Sequence, residues 1–225
     1  MIDFNFEELL YFLPGLIFGF SLHEFCHAFV AYKCGDETQK SFGRLTINPI
    51  KQIDPMGLLF IIFFKFGWAK PVQVNMRYLK KPKRDFFFIS LAGPTANFLA
   101  GIGFSFIASI FTVSSWFNST LINNSLILSA RTVFIVASSM NFMLFIFNLL
   151  PFPGFDGYNA ITAFLPSIVK EKLYRFEKFG FLLFIVLLMW GTPILILQNT
   201  VVWGLRDFFS GHSEKLLVII FRLFT

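Results

Sequence analysis

Charge is scarce in this chain. Asp, Glu, Lys and Arg make up 14% of its 225 residues, against about 25% in an average soluble domain. Cysteine is scarcer still: Cys26 and Cys34 are the only two, too few for a disulfide scaffold, and they read as free thiols. Histidine occurs three times, at 23, 27 and 212. Internal repeats and low-complexity linkers are missing, so residues 1–225 read as a single domain. The opening stretch MIDFNFEELLYF has no basic residue, so it does not read as a cleavable signal peptide. What is abundant is apolar: 56% of residues, 35 of them Phe, with a mean hydropathy of +0.68. That composition excludes a disordered chain and argues against a soluble enzyme. It predicts an integral membrane protein. The net charge of +6 would suggest nucleic acid in a soluble protein. In a membrane protein it bears on orientation instead, and nucleic acid is not an expected partner.

The apolar residues fall into runs. The first, about Leu9–Tyr32, is long enough to span a hydrocarbon core of roughly 30 Å. Met56–Phe66 has eleven residues including Lys65, too few to span. Further runs extend from near Phe86 to near Val113, from about Leu126 to Leu150, and over Phe179–Trp203, the last broken by Pro193. Leu205–Thr225 reads as an interfacial amphipathic helix. Segment 33–85 holds eleven basic and four acidic residues, 170–178 holds four and two, and 114–125 holds none. The positive-inside rule then places 33–85 and 170–178 in the cytoplasm. This requires Met56–Phe66 to dip in and return on one side. The expectation is an all-α polytopic membrane protein, with about four to five transmembrane helices and a re-entrant or β-hairpin segment near the cytoplasmic face. Arg77, Lys80, Lys81, Lys83 and Arg84 would anchor to anionic lipid or serve only as a solvated topology signal.

One cluster carries chemistry. His23-Glu24-Phe25-Cys26-His27 places two imidazoles four residues apart, on one face of a helix. Such a pair can hold one Zn²⁺, with Glu24 within reach of the metal's water as general base. Ionisable groups inside an apolar span cost a few kcal/mol each and are functional by default. The ordinary alternative is a helix end in the headgroup region, pairing with Lys33 or Arg44. A protease site needs a third ligand and an open position. His212 lies in the polar tail and is a poor candidate. Asp156 is a better one. It follows a long apolar run broken by Pro151, Pro153 and Gly154, and broken backbone at membrane depth lines protein or a water-filled cavity. A solvated helix-end turn is the competing reading there. With Met56–Phe66 not crossing, charge and ligand parity choose the same topology.

Together these residues resemble the site-2 proteases, intramembrane zinc metalloproteases, in their small prokaryotic branch without a PDZ domain. The resemblance covers roughly residues 8–165, leaving 166–225 as an extra helix and interfacial tail. It rests on His23-Glu24-x-x-His27, Asn148-Leu-Leu-Pro151…Asp156-Gly157, Gly93-Pro94-Thr-Ala-Asn97, Gly43–Pro49 with Ile53-Asp54-Pro55, and Gly67-Trp-Ala-Lys-Pro71-Val. It implies one zinc per chain on His23, His27 and Asp156, with Glu24 as general base. The substrate implied is a membrane protein cut in or near its transmembrane segment, in the bacterial inner or plasma membrane, with the site toward the cytoplasm. Asn97 would contact substrate backbone or the oxyanion, unless it only makes a helix–helix hydrogen bond, and Asn148 would hydrogen-bond an unwound substrate. Lys70, Pro71 and Val72 would offer a strand edge to it, unless that stretch is a plain interfacial loop anchored by Trp68. Two positions depart from the pattern: Gln52 where His is expected, and Phe155 where Leu is usual. The competing functions are a membrane metal-binding or transport protein and a catalytically silent binding protein. Neither substrate identity nor oligomeric state is legible.

Overall fold

The structure, a computed structural model, describes residues 6–64, 67–117, 124–166, 168–173 and 198–224. It is an all-α polytopic membrane protein. Among the described residues, three helices carry stretches long and apolar enough to cross a bilayer: Leu9–Cys34, Pro82–Ser114 and Ser125–Leu149. They belong to α1 (Phe6–Cys34), α5 (Pro82–Phe117) and α6 (Ser125–Leu149). Between the first two lie α2 (Thr38–Ser41), α3 (Pro49–Gln52) and α4 (Pro55–Phe64). After α6 come α7 (Asp156–Thr162) and α8 (Trp203–Phe224). Most of the expected span Phe179–Trp203 lies outside the described residues.

The helix starts follow local chemistry. Asn124 caps α6 by accepting the N–H groups of Leu126 and Ile127. The Asp85 carboxylate reaches back to the Lys81 N–H at 2.7 Å, closing the first turn of α5 behind Pro82. Helix α4 has ten residues. At 1.5 Å each it is about 15 Å long, half a hydrocarbon core. It is not among the helices long enough to cross. Its exposed Met56, Leu59 and Phe63 give it an apolar outer face.

One expectation needs correcting, the β-hairpin, whose place in the family pattern falls at Gly67–Val74. No hairpin forms in Gly67–Val74. One antiparallel bridge, Ile53 to Ala69, is the β-pairing among the described residues. The reason is competition: side chains of Arg44, Gln39 and Glu24 take up backbone groups that a second strand would need. The tail helix α8 also packs on the bundle. Phe209 stacks on Phe142 of α6 and meets Phe98 of α5, both at 5.9 Å between ring centroids. Ser109 of α5 also donates to the Ser210 carbonyl at 3.1 Å.

Small residues let the three long helices close up. A Cβ on Gly15 would lie 2.5 Å from the Ala137 Cα, and one on Gly19 would lie 2.9 Å from the Asn141 Oδ1. Gly15 and Gly19 are four apart, so they form one flat stripe of α1 against α6. The approach brings polar groups of facing helices into bonding range: Ser105 meets Ser138 at 2.7 Å, and Ser138 donates to the Gly101 carbonyl at 2.9 Å. Gly15→Val should therefore destabilise the detergent-solubilised protein by about 1–3 kcal/mol through overpacking. Gly103, whose added Cβ meets nothing within 4 Å, serves as its control, and Gly103→Ala should be neutral or stabilise by about 0.5–1 kcal/mol. Thermal unfolding of both variants measures the contrast.

Candidate metal centre

Helix α1 presents His23 and His27 inward, at 5% and 6% exposure. Asp156 arrives from 129 residues further along. The chain leaves α6 at Leu149, turns through Pro151 and Pro153, and passes Gly154 at φ 96°, a conformation that favours glycine. It enters α7 with Asp156 in the first turn. Gly157 then packs against the end of α6, since a Cβ there would lie 2.2 Å from the Leu149 carbonyl oxygen. The Pro- and Gly-broken turn thus folds the carboxylate back toward α1. The Asp156 Oδ2 stands 3.0 Å from His23 Nε2 and 3.1 Å from His27 Nε2, and the two Nε2 atoms stand 2.9 Å apart. This is the one group of three or more His, Cys, Asp or Glu side chains with converging ligand atoms among the described residues. His212 is exposed, is bonded to the Phe208 carbonyl, and takes no part.

The other ring nitrogens settle the tautomers. His27 Nδ1 is 2.7 Å from the Ile89 carbonyl oxygen, which can only accept, so Nδ1 carries the proton. His23 Nδ1 is 2.6 Å from Asn97 Oδ1. The Asn97 amide donates from Nδ2 to the Gly19 carbonyl at 3.0 Å and to Asn141 Oδ1 at 3.1 Å, which turns its oxygen to His23. Both Nε2 atoms are then lone-pair donors facing a carboxylate. Three electron-rich atoms about 3 Å apart need a positive charge among them. Two imidazole nitrogens and one carboxylate oxygen, each fixed from behind, match the donor set of a catalytic zinc site with its fourth position open.

Glu24 is 8% exposed, and its Oε2 accepts the Val72 N–H at 3.0 Å. That contact depends on a clamp. The Arg44 guanidinium donates to the carbonyls of Lys70 and Pro71 and to Gln52 Oε1. Gln52 is fully buried; its Nε2 donates to the carbonyls of Arg44 and Thr46, and its carbonyl accepts the Lys70 N–H. Burial pushes the Arg44 guanidinium below its ordinary range, and the Glu24 carboxylate offsets only part of that. The Gln52 side chain, at the position that departs from the family pattern, thus has both its amide nitrogen and its oxygen bonded.

The structure brings His23, His27, Asp156, Glu24, Asn97 and Val72 together, but it alters some expected roles. Asn97 is 0% exposed and holds His23, so it has no polar atom left for a substrate. Asn148 donates to the Leu144 carbonyl of its own helix at 2.9 Å. Lys70 and Pro71 have their carbonyls held by Arg44, so they offer no open strand edge.

Sequence reasoning named Gly93 and Gln52 without their roles, and missed the Ile89 carbonyl and Asn141. Gly93 had a signal in the Gly-Pro-x-x-Asn element, but its reason is steric. A Cβ there would lie 2.4 Å from His27 Nε2 and 2.6 Å from His23 Nε2.

A membrane-embedded bundle with a His-Glu-x-x-His helix and a distant aspartate defines a class, the membrane metallopeptidases. The profile of peptidase family M50 matches residues 11–191. The chain is 39% identical over 213 residues to "Putative zinc metalloprotease YwhC" of Bacillus subtilis, covering 94% of this chain and 93% of that one. It is 31% identical to "Putative zinc metalloprotease Rip2" of Mycolicibacterium smegmatis, over 81% of this chain and 67% of the relative. The Rip2 of Mycobacterium tuberculosis is 29% identical over 91% of this chain and 75% of its own length. No solved structure matches. The chain belongs to peptidase family M50, the site-2 protease family, and is a metallopeptidase.

Gly93→Ala tests the steric requirement. The helix tolerates alanine, so α5 should form. Zinc affinity of the purified protein, measured by chelator competition, should fall at least about tenfold, as expected when ligand side chains are displaced.

Proposed function

We propose that this protein is an intramembrane zinc metalloprotease, holding one zinc per chain on His23, His27 and Asp156 and hydrolysing peptide bonds in or near transmembrane segments of membrane proteins. The observation that carries the reading is the convergence of His23 Nε2, His27 Nε2 and Asp156 Oδ2 within about 3 Å of one another, against a helix that is apolar and long enough to span. The zinc metalloprotease names of the relatives support the choice of metal.

When bound, zinc supplies Lewis acidity and activates water at neutral pH. The chain supplies the rest. Ile89 and Asn97 hold the Nδ1 protons of the two histidines and so keep both Nε2 lone pairs turned inward. Glu24 takes the attacking water's proton and delivers it to the leaving amine. The Val72 N–H holds the carboxylate in place for that transfer. A transmembrane helix hides its carbonyls in internal hydrogen bonds, so substrate must unwind at the site and helix-breaking residues in it should help. The excess of basic residues in 33–85 orients the site toward the cytoplasm of a bacterial inner or plasma membrane.

Glu24→Gln separates this reading from metal transport or silent binding. Cleavage of a transmembrane model substrate in proteoliposomes should drop at least about 10²-fold, the contribution of a general base. Zinc content should stay at the parent level. Cleavage undiminished in Glu24→Gln would exclude Glu24 as the base.

A further inference from the structure

His23 and His27 are held in different ways. The Nδ1 of His27 meets a backbone carbonyl, Ile89, whose orientation the helix fixes. The Nδ1 of His23 meets a side-chain amide, Asn97, which can present either its oxygen or its nitrogen. Something must keep that amide the right way round.

We propose that Asn141, on α6, is a positioning residue for the metal ligand His23, acting through Asn97; the inference rests on the metal site proposed above. Asn141 Nδ2 donates to two acceptor-only carbonyls, Ala137 at 2.8 Å and Gly15 at 3.3 Å. This leaves Asn141 Oδ1 pointing at Asn97. Asn97 Nδ2 in turn faces two acceptors, Asn141 Oδ1 and the Gly19 carbonyl, so its oxygen faces His23. The donors run in one direction, from His23 through Asn97 and Asn141 to the backbones of α6 and α1. Both amides are 0% exposed, so water does not compete for them.

Remove Asn141 Oδ1, and Asn97 keeps only one acceptor, Gly19. Its amide can then turn its nitrogen to His23, which moves the imidazole proton from Nδ1 to the ligand atom Nε2. Asn141 touches neither ligand nor substrate, yet it sets the proton position on which His23 depends. Gly15 and Gly19, whose missing side chains admit α6, make the contact possible.

The test compares the detergent-purified parent with Asn141→Leu and Asn141→Asp, reading zinc affinity by chelator competition alongside circular dichroism and apo-protein melting. Leucine keeps the volume and removes the amide. Protonated aspartic acid keeps a carbonyl for Asn97 and an O–H for Ala137. Asn141→Leu should bind zinc about tenfold more weakly, the lower end for residues behind a ligand, and Asn141→Asp should recover to within about threefold of the parent. A packing role alone would lower melting and leave affinity alone. If Asn141→Leu does not fold, Asn141→Ser replaces it with the same expected loss, because its hydroxyl is too short to reach Asn97. Folded Asn141→Leu or Asn141→Ser binding zinc like the parent, or Asn141→Asp as weak as leucine, would overturn the inference and leave the metal site standing. A parent that takes up no zinc would overturn both.

Discussion

Two imidazole lone pairs and a carboxylate held about 3 Å apart form an arrangement that repels itself without a positive charge at its centre. Most of what is distinctive in the fold serves to impose it. Both Nδ1 atoms are turned to acceptors, so neither histidine can relieve the repulsion by switching tautomer while those bonds last. The Pro151–Gly154 turn and the close seat of Gly157 on α6 return Asp156 to α1. Low surrounding dielectric strengthens these interactions and makes an unpartnered polar group costly. A site of this kind tolerates few unbonded groups, and among the described residues Arg44 Nε is the one buried side-chain nitrogen or oxygen without a partner.

Close helix approach makes this possible. Three stripes of missing side chains matter: Gly15 and Gly19 against α6, Gly101 against Phe142, and Gly93 against the imidazoles. In lipid there is no hydrophobic driving force between helices, so van der Waals contact and interhelical hydrogen bonds hold the bundle. The same small residues that allow packing also admit the polar groups that orient the site. Stability and chemistry therefore share residues, and enlarging any of these glycines disturbs both.

The three spanning helices and the zinc-type motif were legible in the sequence, for physical reasons. Spans announce themselves by length and apolarity, and the histidine spacing maps directly onto one helix face. Asp156 was legible because prolines and glycines must interrupt a helix. The supporting residues were not. An acceptor such as the Ile89 carbonyl has no side-chain signature. A glycine in an apolar helix looks like any other small residue until its neighbours are known. Asn97 and Asn141 stand out as polar groups in apolar runs, but whether such a group meets substrate or another helix is a tertiary fact. Gln52 looked like a departure from the family pattern. Its amide donates to two carbonyls and accepts from Arg44, a set that a neutral imidazole, with one donor and one acceptor, cannot match. Along Lys70–Val72, where a strand edge was expected, side chains distant in sequence hold the backbone: Arg44 takes the Lys70 and Pro71 carbonyls and Glu24 the Val72 N–H.

X-ray absorption of the purified protein after zinc reconstitution, beside His27→Ala and Asp156→Ala variants, tests the central claim most directly. The account predicts about one zinc per parent chain, a coordination shell with two imidazoles and a carboxylate oxygen, and loss or marked weakening of the metal in both variants. A parent without zinc would contradict it, as would an Asp156→Ala variant that keeps the parent's stoichiometry and coordination shell.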